Sequence, residues 1–392
     1  MKLPYIDQIS DLEGKRVLVR ASLNVPVDGN RVKNTFRLDS ILDTLRYLRE
    51  SRAKTIVVGH LENNDEVPSL LPVAGYLKRE LGVGFIGKRI DKVTHEDLSD
   101  VQEGDIVLLE NLRQVKLEKA NDDGFALHLA SLGDIYVNES FDASHRAHAS
   151  IVGVPRYMPS FFGFTFRKEI ENLSRVFSPK RPFLAVFGGA KIATKLSLVD
   201  KFIGIADSIY LVGALANTIY KAEGLDVGRS LVDTEALDLG HLIDSKKVLT
   251  PNDVTVRTRD GASETKQKEE VLVGDNILDI GPESLSELIS EAQDSQMVLW
   301  NGPLGNFEAG FSGGTESFAS ALAAMSNDAI VGGGDTVTAI ADLDHLSGIE
   351  FISTGGGAML DFLADEELPA ITAVLKGSTR DRKRHTSELQ SR

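Results

Sequence analysis

The chain has 392 residues, of which 42% are hydrophobic and 26% charged, and this length favours two globular domains over one. The formal net charge of −15 argues against a general binder of nucleic acids or anionic membranes, and no apolar run approaches the ~18 residues of a membrane span. Cysteine is absent, which excludes disulfides, thiolate nucleophiles and cysteine metal sites. The N-terminus carries no secretory signal pattern, and we expect a cytoplasmic protein.

Short apolar runs alternate with longer amphipathic stretches in the first half of the chain. The short runs are continuous in Val, Ile and Leu, which is typical of parallel strands buried on both faces. The predicted strands are Arg16–Arg20, Lys54–Val58, Asp105–Leu109 and Asp134–Val137, and the predicted helices are Asp39–Glu50, Pro72–Leu81 and Asp122–Leu132.

The second half repeats this alternation after a proline-containing connector at 178–182. Its predicted strands are Phe183–Phe187, Ser208–Val212, Lys247–Leu249, Met297–Trp300, Ala329–Val331 and Glu350–Ser353. Its predicted helices are Thr194–Ile205, Ala214–Glu223, Glu235–Asp244, Glu283–Ala292, Thr315–Ala324 and Val337–Leu343. We therefore predict an α/β fold of two Rossmann-like, doubly wound parallel-sheet domains, 1–165 and 181–372, joined by a hinge helix within 166–180.

Ligands of open α/β sheets bind beyond the carboxyl ends of the strands. In the first half these positions carry basic and polar residues, with Arg37 in the first connection: Ser22, Asn24, His60, Asn111, Arg113, Asn138, Ser140, His145 and Arg146. A single arginine in such a place is usually a surface ion pair, and a lone histidine is as often structural. Three arginines at separate strand ends favour a shared site for a small anion that carries phosphate and carboxylate groups.

The second half offers glycines, lysines and a carboxylate at the equivalent positions. These are Gly188, Gly189, Lys191, Gly213, Asn301, Gly302, Gly332–Asp335 and Gly355–Gly357. Glycines after strands are often plain turns, but their recurrence favours a phosphate site, since glycines let backbone N–H groups approach phosphate oxygens. One carboxylate, Asp335, beside a bound phosphate suits Mg²⁺. This half therefore predicts a site for a nucleotide triphosphate with Mg²⁺.

Several common nucleotide and hydrolase motifs are missing from the sequence. The segment Gly188–Lys191 lacks the spacing of a P-loop, and no G-x-G-x-x-G opens the chain. Neither H-E-x-x-H nor G-x-S-x-G occurs. These absences argue against P-loop NTPases, Rossmann dehydrogenases, zincins and serine hydrolases.

The motifs together resemble the phosphoglycerate kinase family over almost the whole chain and in the family's order. The matching segments are Lys15–Pro26, Leu108–Arg113, Val137–Ser150, Phe187–Lys195, Leu278–Ser284, Trp300–Glu308, Gly332–Thr336 and Ser353–Ala358. The resemblance implies a monomer of two hinged domains, with the C-terminal segment 373–392 returning to the first. It implies reversible, Mg²⁺-dependent phosphoryl transfer between ATP and 3-phosphoglycerate, giving ADP and 1,3-bisphosphoglycerate.

The resemblance also implies roles for individual residues. The phosphoglycerate would be held at Ser22, Leu23, Asn24, Arg37, His60, Asn63, Arg113 and Arg146, with Arg37 reaching the reacting carboxylate. The nucleotide would be held at Gly188, Gly189, Lys191, Lys195, Gly213, Gly281, Glu308, Gly333, Gly334, Asp335 and Thr336, with Asp335 on the metal. Catalysis would rest on Arg37, Lys191, Lys195, Gly334 and Gly357. A carboxylate acceptor is already a nucleophile, so these cations and N–H donors need no general base beside them.

Three positions depart from the family's pattern. Ser22 stands where an Asp is usual, Asn63 where an Arg is usual, and Ala214 where a Gly is common. The first two fall in the phosphoglycerate site, and the loop after His60 is acidic. Three interpretations therefore stay open: a phosphoglycerate kinase with a weakened or rearranged acceptor site, a kinase for a related carboxylic acid, or a nucleotide-binding protein without catalysis.

Overall fold

The structure, a computed structural model, describes residues 2–62, 67–189, 192–233, 239–341, 343 and 346–378. The chain divides into two compact units, Met1–Ile170 together with Asp365–Arg392, and Glu171–Ala364. Each unit contains a parallel sheet with helices between successive strands, which confirms the predicted α/β class. Among the described helices, none combines the length and the hydrophobicity that a membrane crossing requires.

The first unit alternates strands and helices. Its strands are β1 (Arg16–Ala21), β2 (Val27–Asp28), β3 (Arg31–Val32), β4 (Lys54–Val58), β5 (Gly84–Ile86), β6 (Ile106–Leu109), β7 (Ile135–Glu139) and β8 (Ser160–Phe162). Its helices are α1 (Phe36–Ser40), α2 (Leu42–Glu50), α3 (Leu71–Leu81), α4 (Asp123–Ser131) and α5 (Phe164–Ser174), which crosses the division between the units. β2 and β3 pair as a hairpin, and the other strands form the parallel sheet in the order β5-β6-β4-β1-β7-β8.

β1 is the structural centre of this unit because it pairs with both β4 and β7. Val17 and Val19 are fully buried in one apolar cluster with Leu45 of α2 and Leu77 of α3. Burial of such side chains contributes roughly 1.5–3 kcal/mol each. This apolar cluster anchors the central strand, and polar side chains follow where the strand ends.

The helical residues 369–378 pack back on the first unit. Ala370 is buried in a small apolar cluster with Ala143, Ile151 and Val152, and its N–H donates to Ser144 O at 3.2 Å. The first unit is thus assembled from two separate stretches of the chain.

The second unit contains β9 (Phe183–Phe187), β10 (Ser208–Leu211), β11 (Val248–Leu249), β12 (Asp253–Arg257), β13 (Ser263–Gln267), β14 (Asn276–Ile280), β15 (Met297–Asn301), β16 (Asp328–Gly332) and β17 (Phe351–Ile352). Its helices are α6 (Ile192–Ile203), α7 (Ala214–Ala222), α8 (Gly240–Ile243), α9 (Pro282–Asp294), α10 (Gly313–Ala323), α11 (Gly334–Ile340) and α12 (Gly357–Asp365). The parallel sheet runs β11-β10-β9-β15-β16-β17. Trp300 of β15 is fully buried and packs edge-on against Phe318 of α10, with ring centroids 4.9 Å apart.

A second, antiparallel sheet in the order β13-β12-β14 was not predicted from the sequence. β13 is almost wholly exposed and polar, so it lacks the apolar pattern from which strands are recognised. β12 and β14 supply the apolar residues of this sheet, and Val254 and Ile277 are buried there.

Three predicted helices differ clearly from the structure. The predicted helix Asp39–Glu50 is divided at Ile41 into α1 and α2. α11 begins at Gly334 instead of Val337, which brings Gly334 and Asp335 into its first turn. Glycine is a poor helix former, so the sequence pattern misplaces this start. In the predicted helix 235–244 the described part is helical at Gly240–Ile243, and 234–238 lie outside the described residues.

Candidate active site

Basic and polar side chains gather beyond the carboxyl ends of β1, β4, β6 and β7. The predicted residues found there are Ser22, Asn24, His60, Arg113 and Arg146. These strands are neighbours in the sheet, so residues distant in sequence meet at one edge.

Arg20, at the carboxyl end of β1, organises this edge. Its side chain is fully buried and donates to Ser150 Oγ at 3.0 Å, to Ser140 Oγ at 3.2 Å and to His60 Nδ1 at 2.8 Å. Ser150 Oγ in turn donates to the buried carboxylate of Glu118 at 2.6 Å. The negative charge of Glu118 balances the positive charge of Arg20, with the Ser150 hydroxyl between them. Arg20 thus fixes the position of His60.

Arg113 supplies a guanidinium whose donors are not all used. Its side chain is 1% exposed, and Nη1 lies 3.3 Å from His148 Nδ1. Within the described residues, Nη2 and Nε have no hydrogen-bond partner. Leaving buried donors unpaired is costly, so this guanidinium is prepared to bind an anion.

The pKa values of the two histidines report the charge around them. Burial lowers the pKa of His60 well below its ordinary value, and the charges of Arg20, Arg113 and Arg146 lower it further. Burial, followed by Arg113 and Arg146, lowers the pKa of His148 to about 3. The charge of Lys119 also lowers the pKa of His148. We call this set the basic cluster: Arg20, His60, Arg113, Lys119, Arg146 and His148.

One carboxylate lies inside the basic cluster. Glu62 Oε1 is 2.5 Å from Lys119 Nζ and 3.4 Å from Arg113 Nε. Burial works to raise the pKa of Glu62, but the hydrogen bond from Lys119 and the charges of Arg113 and Arg146 outweigh it, so the net pKa is lowered. Glu62 is therefore ionised in this setting.

Two further predicted acceptor residues, Asn24 and Arg37, border the cluster. Asn24 Oδ1 accepts from Glu62 N at 3.0 Å, and Asn24 O accepts from Arg37 Nη1 at 2.7 Å. Arg37 reaches the cluster through Asn24 and makes no described contact with the other arginines. Leu23 is fully buried beneath Gly59. Ser22 Oγ is buried and has no hydrogen-bond partner in the described part of the chain, and Asn63 lies outside that part.

The second unit contains a cavity of about 660 Å³ between its two sheets' loops and α7. Its walls are largely apolar and include Tyr220, Val254, Ile277 and Leu304. Four predicted nucleotide residues line it: Gly189, Gly213, Glu308 and Asp335. A cavity of this size and polarity, with carboxylates at its rim, suits a nucleoside with its phosphates outside.

Gly188 and Gly302 approach so closely at one end of this cavity that neither position has room for a Cβ. The close approach brings the buried Lys195 amine against the turn, where it donates to Gly188 O. Thr336 Oγ1 accepts from Gly302 N at 2.8 Å, so α11 is tied to the same turn. Lysine, glycine backbone and α11 therefore meet at the carboxyl ends of β9, β15 and β16.

Asp335 is the predicted metal ligand, and its carboxylate is exposed in the first turn of α11. Gly333 and Gly334 precede it at the carboxyl end of β16. In the described residues no group of three or more acidic, histidine or cysteine side chains is placed to hold a metal ion. A single carboxylate fits Mg²⁺, which keeps several waters and takes its other ligands from phosphate oxygens.

Two predicted residues have other settings. Gly281 does not line the cavity; it packs against Asp253, whose carboxylate accepts from Ser284 N at 2.7 Å at the start of α9. Gly357 is the exposed first residue of α12. Lys191 lies outside the described residues.

Sequence reasoning missed several residues of these sites, notably Arg20, Lys119 and His148. A charged residue at the end of an apolar strand is a usable signal for Arg20, because a buried strand accepts such a residue only with partners. Asp279 was also missed; it lines the cavity, and burial raises its pKa to about 6 despite the N–H groups of Gly314 and Ile280.

Known proteins of one family match this chain. A model of the phosphoglycerate kinase family matches residues 6–366. The phosphoglycerate kinase of Synechococcus elongatus is 40% identical over 388 residues, covering 93% of this chain and 96% of that protein. That of Moorella thermoacetica is 39% identical over 381 residues, covering 93% and 97%. The solved structure of phosphoglycerate kinase from Coxiella burnetii superposes with a TM-score of 0.81 at 32% identity, covering 96% of this chain and all 100% of the other.

Proposed function

The chain belongs to the phosphoglycerate kinase family, whose members transfer a phosphoryl group to a carboxyl group, and we propose that it transfers phosphoryl reversibly between ATP and the carboxylate of 3-phosphoglycerate. The products are ADP and 1,3-bisphosphoglycerate. The first unit holds the acceptor and the second holds the nucleotide.

The unused donors of Arg113 are the observation that carries this proposal. Within the described residues, Nη2 of this buried guanidinium has no partner and Nε has only the ion pair with Glu62, so a site with further positive charge around it favours binding of an anion. The phosphate group of 3-phosphoglycerate has the oxygen geometry that a guanidinium fork accepts. His60, held by Arg20, presents a neutral ring edge to the same region.

The chemistry asks for charge stabilisation more than for proton transfer. The acceptor carboxylate is ionised at neutral pH and attacks without a base. Negative charge is spread over the oxygens of the γ-phosphoryl group in the transition state, so fixed cations and N–H donors lower the barrier. Arg37, Lys191 and Lys195, with the backbone at Gly334 and Gly357, are the groups that we assign to this task.

Nucleotide binding is assigned to the cavity of the second unit. Its apolar walls take the base, and Glu308 at the rim suits the ribose hydroxyls. The phosphates then lie toward Gly188, Gly333 and Thr336. Mg²⁺, held by Asp335 together with phosphate oxygens, neutralises phosphate charge when it is bound.

The test is steady-state ATP consumption with Mg²⁺ and 3-phosphoglycerate, using protein free of host enzyme. We expect saturable turnover that Lys191→Ala abolishes, while Lys221→Ala, an exposed lysine on α7, leaves it intact. Turnover that survives Lys191→Ala comes from a contaminant. Absence of turnover at any acceptor concentration, with ATP still bound, overturns the proposal.

A kinase for a related carboxylic acid is the second candidate. The observation in its favour is Ser22, whose buried hydroxyl stands where the family usually has an Asp and has no hydrogen-bond partner in the described residues. A panel of small hydroxy acids and phospho-acids decides between the two. The candidate fails when 3-phosphoglycerate has the highest kcat/KM of the panel.

A further inference from the structure

The Glu62 carboxylate lies inside the basic cluster, against two of its cations. It lies 2.5 Å from Lys119 Nζ and 3.4 Å from Arg113 Nε. Its side chain is 27% exposed, so it faces the open side of the cluster rather than the core. An acidic side chain in this place is an anion supplied by the protein itself.

The backbone on both sides of this carboxylate is held in place. Glu62 N donates to Asn24 Oδ1 at 3.0 Å. The preceding residue, Leu61, donates its N–H to Asn111 Oδ1 at 3.3 Å and accepts from Asn111 Nδ2 at 2.7 Å. The backbone at Glu62 is therefore held by the loops that follow β1 and β6.

Glu62 satisfies the guanidinium of Arg113 incompletely. The separation of 3.4 Å from Nε makes an ion pair but no hydrogen bond, and Nη2 stays without a partner among the described residues. The other nearby carboxylate, Glu118, is fully buried and already accepts from Ser150 through both oxygens. Arg113 thus has room for a better ligand than Glu62, and that ligand must overcome the Glu62 charge.

We propose that Glu62 is an internal counter-anion that sets acceptor specificity: it competes with the phosphate group of the substrate for Arg113 and Lys119. Displacement is possible because the carboxylate is partly exposed and has water to move into. Glu62 therefore lowers the affinity for a substrate that places a phosphate group here more than the affinity for a substrate that has only a carboxylate. Glu62 is therefore a specificity residue and takes no part in the transfer step.

The inference rests on the proposed function for its kinetic readout, but its binding readout does not. The variant is Glu62→Gln, which keeps the size and removes the charge. We expect the KM for 3-phosphoglycerate to fall about tenfold, since removing one like charge at contact distance in a partly solvated site is worth about that factor. The change should be carried by KM rather than kcat, and glycerate, which lacks the phosphate, should gain little.

Two further variants separate charge from structure. Glu62→Asp keeps the negative charge, so its KM for 3-phosphoglycerate should stay well above that of Glu62→Gln. Glu103→Gln removes a comparable ion-paired glutamate, bound to Arg52 at 2.6 Å at the opposite edge of the sheet, and should change nothing. If Glu62 serves only as a surface ion pair, the KM for 3-phosphoglycerate will be the same in all of these proteins.

Inorganic phosphate, titrated calorimetrically, tests the inference without turnover. We expect it to bind Glu62→Gln about tenfold more tightly than the unmodified chain. If no protein turns over 3-phosphoglycerate while phosphate still binds the variant more tightly, the proposed function fails and the counter-anion stands. If turnover is normal and both KM and phosphate affinity are unchanged, the function stands and the counter-anion is wrong.

Discussion

The Arg20 guanidinium lies 2.8 Å from Nδ1 of His60, and both side chains are buried. Arginine donates hydrogen bonds and cannot accept them, so Nδ1 must be the acceptor. A neutral ring that accepts at Nδ1 carries its proton on Nε2. The first unit therefore presents His60 as a fixed N–H donor.

Arg20→Lys should destabilise the first unit. The lysine keeps the charge but cannot reach Ser140, Ser150 and His60 together, and the partners left unpaired cost about 2–4 kcal/mol. The unfolding free energy of this unit, followed by hydrogen exchange of β1 and β4 amides, measures the loss. Arg52→Lys, an exposed residue bound to Glu103, is the control and should cost little. Equal effects at both positions would show that Arg20 has no special role.

Acid should weaken the first unit through His60 and His148. The pKa of His60 lies well below its ordinary value and that of His148 is about 3, so in the folded state both stay neutral where the unfolded chain takes up protons. The unfolded state then binds more protons below about pH 6.5, and stability falls as pH drops from there toward the folded pKa values.

The slope is at most about 1.4 kcal/mol per pH unit for His60 and smaller for the partly exposed His148. Hydrogen exchange between about pH 7.5 and about pH 5 measures it. His148→Gln should flatten the profile, whereas His241→Gln, an exposed residue paired with Asp200, should leave its slope as it was. An unchanged profile in His148→Gln would contradict the assignment.

Gly302→Ala should impair nucleotide binding. The backbone there has a φ of 99°, and a Cβ would lie 2.5 Å from Lys195 Nζ and closer still to Gly188 O. Lys195 and the turn must therefore both shift. The free-energy cost of that shift adds to the roughly 1–3 kcal/mol that backbone strain alone costs. ADP affinity, measured calorimetrically, should fall at least about tenfold.

Gly261→Ala isolates the strain, because its φ is 93° and a Cβ there meets nothing within 4 Å. It should lower stability without changing ADP affinity. Equal ADP affinity in both variants would contradict our proposal that the turn at Gly302 binds the nucleotide.

Asp335→Asn should raise the Mg²⁺ requirement. The exposed carboxylate in the first turn of α11 is the protein ligand that we assign to the metal, and an amide is a weaker ligand for Mg²⁺. The Mg²⁺ concentration for half-maximal turnover should rise about tenfold or more at fixed ATP. Asp294→Asn, at the exposed end of α9, is the control. ADP binding without Mg²⁺ should not weaken in either variant; if it weakens in Asp335→Asn alone, the carboxylate acts on the nucleotide and not on the metal.

The sequence predicted the positions of the strands that are buried on both faces. β1, β4, β9 and β15 each appear as short apolar runs, because parallel strands are covered on both faces. β13 was missed for the opposite reason, since its exposed face removes the apolar signal. Strand order was beyond reach as well, because it depends on long-range pairing.

The candidate site shows the same limit. Arg37, Arg113 and Arg146 were expected to share an anion site. The charges of Arg113 and Arg146 both lower the pKa of His60, whereas Arg37 contacts Asn24 and makes no described contact with the other arginines. The role of Arg20 was missed because its partners, Ser140, Ser150 and His60, arrive from other elements. Single residues of a motif are visible in a sequence, whereas the network that orients them is not.

The return of residues 369–378 to the first unit has a consequence for biosynthesis. A ribosome makes the second unit, Glu171–Ala364, before the segment that completes the first. At about 5–20 residues per second, the emerging first unit waits on the order of ten seconds or more for Ala370 to cover Ala143 and Ile151. During that interval the nascent first unit lacks part of its apolar cover.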